Sequence, residues 1–221
     1  MIIPTLNEAE NLGSTLHRLN QTAPEDSYEV IVADGGSTDA TRDIARRYGA
    51  RIVSGSRGRA RQMNAGARVA RGEYLYFLHA DTLPPPDWLE HLRQRPAVPC
   101  CFRLRFEGQE KLPWLRLYAY FTRFDIDAFR FGDQSLGVSR TDFVAVGGFS
   151  DWRLLEDNGM VRKLRSHRGF RVLDAHVTTS PRKYLRHGFV RTQLVYVLLY
   201  ALHRLGTGQD KLARIYARLL D

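Results

Sequence analysis

The chain has 221 residues, of which 43% are hydrophobic and 26% are charged. This length is enough for one good hydrophobic core and favours one domain over two. Lysine and arginine number 33 against 24 aspartates and glutamates, which gives a formal net charge of +9. Such an excess predicts an anionic partner, but it does not choose among phosphates, nucleic acid and acidic lipid.

The longest apolar run and the cysteines exclude two further classes of protein. Leu194 to Leu202 is far shorter than the roughly 20 residues that a membrane-spanning helix needs. Cys100 and Cys101 are adjacent and hardly reach disulfide geometry, which excludes a disulfide framework and fits a reducing compartment. The chain also lacks a basic start that leads into an apolar stretch and a cleavage site, so we expect a cytoplasmic protein.

The first strand and helix follow directly from residue 1. Met1 to Pro4 is strand-like, and leucines then recur on one helical face between residues 12 and 19. Asn7 is predicted to cap this helix, with Glu10 as its capping-box partner. The strand is short, which leaves open whether further residues precede Met1.

Strands and helices continue to alternate over roughly the first eighty residues. The β-branched run Tyr28 to Ala33 predicts a second strand, and Ser37 or Thr38 is predicted to cap the helix that follows. The pattern continues with a strand at Arg51 to Ser54, a helix at Gly58 to Ala70 and a strand at Glu73 to Leu78. This alternation predicts an α/β fold with a mostly parallel central sheet and helices on both faces, where ligands bind beyond the carboxyl ends of the strands.

The second half of the chain has a different rhythm. Cys101 to Phe106 alternates with period two, which predicts a strand at the edge of the sheet. Helices are predicted at Leu112 to Phe124 and at Leu155 to Arg168, and a strand at Phe170 to Ala175. From Phe189 onward the chain is basic and is predicted to be helical to its end.

Two aspartates end apolar strands of the predicted sheet, Asp34 after the second strand and Asp81 after the fourth. At the carboxyl edge of a parallel sheet both can face one ligand, although aspartate is also common in turns that hold only the chain itself. An acidic turn suits Mg²⁺ or Mn²⁺, which take oxygen ligands and complete their shell with substrate phosphates. Asp81 is the better placed candidate. His79 beside it is either a ribose or phosphate contact or a satisfied histidine at the rim.

A second acidic pair and a basic loop are the other candidates for chemistry. Glu156 and Asp157 open a predicted helix, where either one acts as a general base or both complement the helix dipole. Arg57 and Arg59 lie in a loop with glycines before a helix, which either faces a phosphate or is a solvated basic loop. The loop lacks the spacing of a Walker motif or a dinucleotide fingerprint, which argues against an ATPase and a Rossmann dehydrogenase.

Five motifs occur in order along the chain. They are PTLNEAENL at Pro4 to Leu12, DGGSTDAT at Asp34 to Thr41, ARGEYLYFLHADT at Ala70 to Thr82, GGF at Gly147 to Phe149 and LLEDN at Leu154 to Asn158. Together they resemble the family-two glycosyltransferases, which have the GT-A fold. GDQ at Gly132 to Gln134 and the tail from Ser180 to Tyr216 also resemble a small bacterial subgroup that is associated with arsenosugar biosynthesis.

The resemblance implies a donor site for a UDP-linked sugar. Thr5 and Glu8 would line the pocket for uracil and ribose, and Asp34 would hydrogen-bond the base. Asp81 would hold a divalent metal, Mn²⁺ or Mg²⁺, against the diphosphate. His187, in RKYLRHG, falls where some members supply a histidine ligand to the metal, or it is a plain surface histidine.

The resemblance also implies how transfer proceeds. Asp157 would take the proton from the acceptor hydroxyl, with inversion at the anomeric carbon, and Glu156 would support it or bind the acceptor. The family's acidic turn normally begins with aspartate, whereas here it begins with His79, which leaves the usual ribose contact and the nucleotide unassigned. The Gln-rich Trp motif and the membrane spans of the processive synthases are absent from the sequence, which favours transfer of a single sugar.

The expected organisation is a glycosyltransferase domain over residues 1–180, with a nucleotide-binding half at 1–98 and an acceptor half at 99–180. A helical extension at 181–221 is expected to pack on this domain. From His187 to Arg204 the extension has four interpretations. They are contact with an anionic membrane at its inner face, presentation of a lipid-linked acceptor, packing on the core, and a homodimer contact.

The favoured function is metal-dependent transfer of a sugar from a nucleotide diphosphate sugar to an unidentified acceptor, with no nucleic acid partner. A sugar-phosphate nucleotidyltransferase is one alternative, because it shares the sheet, the metal and the phosphates. It begins with a glycine-rich basic loop, however, where this chain has Pro4 to Glu8. The other alternative is a non-enzymatic basic protein that binds nucleic acid or acidic membrane, which would need its basic residues in one patch.

Overall fold

A computed structural model describes residues 1–24, 27–94, 98–127, 130 and 132–220 of the chain. Its strands are β1 Ile2–Thr5, β2 Ile31–Asp34, β3 Arg51–Ser54, β4 Tyr74–Phe77, β5 Thr82–Leu83, β6 Cys100–Phe106, β7 Leu136–Ser139 and β8 Arg171–Thr179. In the described residues they form one sheet with the order β3-β2-β1-β4-β7-β6-β8-β5.

Helices cover both faces of this sheet. They are α1 Ala9–Thr22, α2 Thr41–Arg47, α3 Arg59–Val69, α4 Trp88–Arg93, α5 Pro113–Phe121, α6 Arg140–Ala145, α7 Glu156–Arg168, α8 Arg182–His187, α9 Phe189–Arg204 and α10 Gln209–Leu220. Buried side chains of α1, α2, α4 and α5 belong to one core cluster. Those of α3, α6 and α7 belong to a second cluster on the opposite face. The predicted α/β architecture is therefore confirmed.

Strand β1 lies in the interior of the sheet and separates the two cores. Successive residues of a strand point to opposite faces, and Ile3 accordingly joins the cluster of α1, whereas Ile2 joins the cluster of α3. Both isoleucines are completely buried. Each such side chain contributes about 1.5–3 kcal/mol through burial of apolar surface. This strand therefore reads as a continuous apolar run, as strands covered on both faces do.

The sheet is parallel in its first half and mixed in its second. β1 pairs in parallel with β2 and β4, and β2 pairs in parallel with β3. β7 then pairs antiparallel with both β4 and β6, and β8 runs parallel to β6. The mostly parallel sheet of the prediction describes the first four strands, and β7 was not predicted at all.

The predicted edge position of β6 was wrong. The strand lies between β7 and β8, and Cys100, Phe102 and Leu104 are buried along it. Its period-two pattern arises because Arg105 on the other face is exposed. Alternation therefore reports one solvated face of a strand, not an unpaired edge.

Two predicted helix caps were also wrong. Helix α1 is preceded by Glu8 and helix α2 by Ala40, and neither side chain makes a capping hydrogen bond. Asn7 instead adopts a φ of 54° and accepts a hydrogen bond from the Thr38 backbone N–H at 2.9 Å. The Asn7 backbone N–H in turn donates to the hydroxyl of Ser37 at 2.9 Å. The polar residues expected to cap their own helices instead tie the β1–α1 and β2–α2 loops together.

The C-terminal helices form a small core of their own. Val195 and Leu199 of α9 pack with Leu212 and Leu220 of α10, whereas the opposite side of α9 exposes apolar residues, among them Val190, which is 68% exposed. In the described part of the chain, no helix is long and apolar enough to cross a membrane. Cys100 and Cys101 are both buried at the start of β6.

The contact between α3 and β1 depends on one glycine. A Cβ built on Gly66 lies 2.5 Å from Cγ2 of Ile2, which is far inside van der Waals contact. We expect Gly66→Ala to lower the free energy of unfolding by about 1–3 kcal/mol, because overpacking a buried strand costs more than the improved helix propensity contributes. Denaturant unfolding monitored by circular dichroism measures this loss.

The Ile2→Ala background provides the control. Without the Ile2 side chain the new methyl group has space, so Gly66→Ala should there be neutral or stabilising. An equal loss in both backgrounds would contradict the proposed clash.

Candidate active site

The acidic turn that follows β4 is held from several sides. The Leu78 backbone N–H donates to the Ile2 carbonyl at 3.0 Å, which keeps the turn next to β1. The Thr15 hydroxyl of α1 donates to the Ala80 carbonyl at 2.7 Å. The Ser180 N–H donates to the Asp81 carbonyl at 3.3 Å. Because the backbone is fixed by these bonds, the side chains of this turn leave it in defined directions.

The turn opens into a cavity of about 340 Å³ at the carboxyl edge of the sheet, which we call the first chamber. Six residues predicted to bind donor or metal line it: Thr5, Glu8, Arg57, Arg59, His79 and Asp81. These residues come from three separate segments of the chain: the end of β1 with the loop after it, the loop before α3 with the start of that helix, and the turn after β4. The structure brings them together because the parallel strands β1 and β4 end at the same edge of the sheet.

A second cavity of about 600 Å³ adjoins the first, and we call it the second chamber. Asp157, the predicted general base, lines the second chamber. Seven residues line both: Leu6, Arg57, Arg59, Asp133, Lys183, Tyr184 and Tyr196. The two chambers are therefore parts of one cleft, with Asp81 in one part and Asp157 in the other.

Asp34 lies behind this cleft and is almost completely buried. Its carboxylate accepts hydrogen bonds from the backbone N–H groups of Gly36 and Ser37 at 3.2 and 3.1 Å, and from the Ser37 hydroxyl at 2.5 Å. The Thr5 hydroxyl donates to it at 3.3 Å. Asp34 therefore holds the turn after β2 and ties it to β1, and it is not among the residues that line either chamber.

Glu156 is also buried and pairs with Arg59 of the opposite wall. Nε of Arg59 lies 2.7 Å from Oε1 of Glu156, and neither carboxylate oxygen of Glu156 has a hydrogen-bond partner, so the contact is an ion pair. Burial raises the pKa of Glu156 while the charge of Arg59 opposes the rise. The charge of Glu156 raises the pKa of Arg59, which keeps the guanidinium charged.

His79 faces Asp133, a residue to which the sequence assigned no role. Nδ1 of His79 lies 3.4 Å from Oδ1 of Asp133, and the buried Nε2 has no hydrogen-bond partner. Burial by itself lowers the pKa of His79, but the contact with Asp133 and the charge of Asp157 outweigh it and the pKa is raised. Burial would raise the pKa of Asp133, yet His79 and Lys183 bring it down to about 2. The pair joins the GDQ segment to the acidic turn.

Arg182, the first residue of α8, bridges two carboxylates of the first chamber. Its Nη2 lies 3.0 Å from Oε1 of Glu8 and 3.2 Å from Oδ2 of Asp81. Burial raises the pKa of Asp81, and the charges of Asp133 and Glu8 raise it further against the opposing charges of His79 and Arg182. The carboxylate of Asp81 is thus in a site that favours a nearby positive charge.

The next residue of α8 supplies a second cation that sequence analysis missed. Nζ of Lys183 donates to the Tyr196 hydroxyl at 3.0 Å and lies 5.3 Å from the centre of the Tyr216 ring. Lys183 is hidden in a generally basic tail, and no spacing in the sequence distinguishes it from its neighbours. His187 ends the same helix and is not among the residues that line either chamber, so the structure does not bring it to Asp81.

Comparison with known proteins identifies the family. The family model described as glycosyl transferase family 2 matches residues 1–143, which is more than half of the chain. The chain belongs to glycosyltransferase family 2. This membership confirms the resemblance of the motifs to the family-two glycosyltransferases. The matched residues include those that line the first chamber from Thr5 to Asp133.

Curated relatives of the family match parts of the chain. Validoxylamine A glucosyltransferase from Streptomyces hygroscopicus subsp. jinggangensis is 30% identical in an alignment that covers 68% of this chain and 46% of that protein. Glycosyltransferase AglE from Haloferax volcanii is 38% identical in an alignment that covers 41% of this chain and 32% of that protein. The chain thus spans between about a third and a half of the length of these relatives.

Solved structures establish the GT-A fold. The mannosyltransferase PcManGT from Pyrobaculum calidifontis, in complex with GDP-Man and Mn²⁺, superimposes with a TM-score of 0.70 at 21% identity over 97% of this chain and 68% of that one. S. aureus TarS in complex with UDP-GlcNAc superimposes with a TM-score of 0.67 at 16% identity over 99% of this chain and 70% of that one. At these identities the likeness shows the shared fold and nothing finer.

The donor atoms of the first chamber fit a metal that is shared with a substrate. Among the described residues, no group of three or more histidine, cysteine, aspartate or glutamate side chains could hold an ion by itself. Mg²⁺ and Mn²⁺ are commonly bound by one or two carboxylates together with substrate phosphates. Asp81, whose pKa is raised and which accepts a cationic partner, has the required chemistry.

The ion pair between Arg59 and Glu156 gives a prediction for stability. Arg59→Met leaves a buried carboxylate without its cation, so we expect the free energy of unfolding at pH 8 to fall by about 2–3 kcal/mol. A carboxyl group whose folded-state pKa is raised destabilises the fold above that pKa, and protonation removes the cost as the pH falls. The loss should therefore shrink toward about pH 5. Thermal unfolding across this pH range measures it.

The matched control is the double variant Arg59→Met with Glu156→Gln. Glutamine keeps the size of the side chain and carries no charge, so the free energy of unfolding at pH 8 should recover. The difference from the wild type should then no longer change with pH. A double variant as unstable at pH 8 as Arg59→Met alone would mean that the Arg59 side chain stabilises by packing instead of by charge.

Proposed function

We propose that this family-two glycosyltransferase moves one sugar from a nucleotide diphosphate sugar, UDP-linked, to an acceptor hydroxyl with inversion of the anomeric carbon. The joined cleft carries the proposal, because Asp81 faces one chamber and Asp157 the other across a set of shared cations. Such an arrangement holds two substrates close together, which converts a bimolecular reaction into an effectively unimolecular one.

The first chamber suits the donor. PcManGT with GDP-Man and TarS with UDP-GlcNAc are nucleotide-sugar complexes of the same fold, which supports a donor of this class. The motif positions assign Thr5 and Glu8 to uracil and ribose, and the assignment of Asp34 to the base stays a prediction. Arg57 and Arg59 line the chamber at the N-terminus of α3, where cations and backbone N–H groups favour a diphosphate.

A divalent cation, Mn²⁺ or Mg²⁺, is the proposed cofactor. Asp81 would hold it together with the donor diphosphate, and the bound ion would supply positive charge to the leaving diphosphate. Arg182 and Lys183 bring further positive charge to the same chamber from α8. His187 stays a predicted ligand without a position beside Asp81.

The second chamber suits the acceptor. Asp157 is the proposed general base, which accepts the proton of the acceptor hydroxyl as that oxygen attacks the anomeric carbon. Glu156 lies one residue earlier, buried against Arg59, and is proposed to position Arg59 toward the donor. The proposed division into a nucleotide-binding half at 1–98, an acceptor half at 99–180 and an extension at 181–221 follows these roles.

The bacterial subgroup associated with arsenosugar biosynthesis remains part of the proposal. The GDQ segment and the tail from Ser180 to Tyr216 carry the resemblance to it, and Asp133 of the GDQ segment lies against His79 of the HAD turn. Their contact gives a physical reason for the two motifs to occur together. A cytoplasmic location is proposed as well, as the sequence predicts.

A thermal-shift screen of nucleotide sugars with and without Mn²⁺ tests the donor. A ligand present at about 100 times its Kd stabilises the folded state by about 2.7 kcal/mol, which for a chain of this size raises Tm by about 5–10 °C. We expect such a shift with a UDP-sugar and Mn²⁺ together. A shift confined to GDP-sugars would overturn the choice of uridine but not that of the enzyme class.

Two aspartate variants separate binding from transfer. Asp81→Asn should remove the Mn²⁺-dependent part of the thermal shift together with turnover, because the metal and the diphosphate lose their shared ligand. Asp157→Asn should keep the shift and lower kcat about 10²–10⁴-fold, because only proton transfer is lost. Asp43→Asn, at an exposed position of α2, is the control for loss of a carboxylate.

Wild-type turnover in the Asp157→Asn variant would remove that residue from the role of base. Full activity of the Asp81→Asn variant in excess Mn²⁺ would do the same for the metal assignment. Incubation with a sugar phosphate and UTP tests the nucleotidyltransferase alternative, because only that enzyme class releases pyrophosphate.

A further inference from the structure

A second basic cavity lies outside the active-site cleft, between the sheet and helix α5. It has a volume of about 330 Å³ and shares no lining residue with either chamber. Four arginines and one histidine line it: Arg103 and Arg105 of β6, Arg116 of α5, Arg123 of the turn that follows α5, and His176 of β8. We call it the arginine groove.

The positive charge of the arginine groove is only partly neutralised within the chain. Asp174 forms an ion pair with Arg103, but Nε of the same arginine is buried and has no hydrogen-bond partner. Within the described residues, no carboxylate forms an ion pair with Arg105, Arg116 or Arg123. Burial and the charges of Arg103 and Arg105 lower the pKa of His176, in keeping with guanidinium groups that converge on it. The groove therefore favours an anion.

Helix α5 and the turn after it expose an apolar stripe beside this groove. Trp114 and Leu117 of α5 are 64% and 51% exposed, and Phe124 of the turn is 43% exposed. Tyr120 lies between the stripe and the groove, with the guanidinium carbon of Arg123 3.9 Å from the centre of its ring. Large exposed side chains of this kind are characteristic of a contact surface.

We propose that the surface formed by α5 and the turn after it binds an anionic membrane. Lipid phosphates would occupy the arginine groove, and Trp114, Leu117 and Phe124 would lie in the interfacial layer. Basic residues are attracted to the negative surface potential of such a membrane, and tryptophan and other amphipathic side chains favour its interface. A free phosphate satisfies the arginines but leaves the apolar stripe in water. A twofold contact between two copies would bring arginines against arginines, which is unfavourable.

Co-sedimentation with vesicles of phosphatidylcholine, with and without phosphatidylglycerol, tests this proposal. The full chain should bind the vesicles that contain phosphatidylglycerol, and binding should fall with salt. Arg116→Gln combined with Arg123→Gln should weaken partitioning roughly thirtyfold, since each basic residue near the surface contributes about a fivefold effect. Trp114→Ser combined with Phe124→Ser should also weaken it, although no charge changes.

Matched controls separate this surface from net charge and from catalysis. Arg47→Gln combined with Arg68→Gln removes the same charge from exposed positions of α2 and α3, at the other end of the sheet, and should leave binding nearly unchanged. Asp81→Asn, which changes the first chamber and not the arginine groove, should bind vesicles like the wild type. Membrane binding is thereby tested separately from the proposed transferase activity.

Several results would overturn the proposal. An equal loss in the Arg47 and Arg68 control would mean that binding follows net charge alone. A groove-dependent rise of Tm with inorganic phosphate, without vesicle binding, would make the ligand a free anion. A dimer that Trp114→Ser and Phe124→Ser dissociate, again without vesicle binding, would make this face an interface between copies.

Discussion

The gathering of carboxylates at one edge of the sheet is the constraint on which the site depends. Glu8, Asp81, Asp133 and Asp157 all open onto one cleft. Glu8 and Asp81 follow the carboxyl ends of the parallel strands β1 and β4, and Asp133 precedes β7, which pairs antiparallel with β4 and so begins at the same edge. Like charges in a partly buried site raise one another's pKa values, as they do for Asp81. Positive charge is therefore needed in the cleft before any substrate arrives, and it comes from arginines and a lysine on two different segments.

The origin of that positive charge explains why the fold is not simply a parallel sheet with a tail. Arg57 and Arg59 come from the loop and first turn before the rest of α3, which packs so closely on β1 that only Gly66 fits at the contact. Arg182 and Lys183 come from α8, which begins where β8 ends beside the acidic turn. The antiparallel β5–β8 pairing is what delivers α8 to this position, since it fastens the end of β8 to the segment after Asp81. The mixed half of the sheet thus places two cations beside the acidic turn at the end of the parallel half.

The sequence allowed the edge of the sheet to be predicted, but not the contacts across it. Asp34 and Asp81 each follow a recognisable strand, so the shared edge follows from topology alone, and the motif order assigned the class of enzyme. The structure gives the two residues different environments, because the carboxylate of Asp34 is buried and accepts hydrogen bonds from its own turn. Asp133 and Lys183 reach the cleft only through tertiary folding, and nothing in their local pattern distinguishes them. Helix caps failed for the same reason, since Asn7 finds its partner 31 residues away.

The family model ends at residue 143, and the features that distinguish this cleft from a generic donor site lie largely beyond it. Asp157, Lys183 and the tyrosines of α9 and α10 all come from this later part of the chain. A boundary at residue 180 therefore divides the sequence but not the site, because Ser180 and Arg182 line the same chamber on either side of it. The extension contributes Arg182 and Lys183 to the acidic cleft and lines part of the second chamber. We therefore expect the residues that choose the acceptor to lie beyond residue 143. Pocket shape there is set by packing between α8, α9 and α10, which no local pattern encodes.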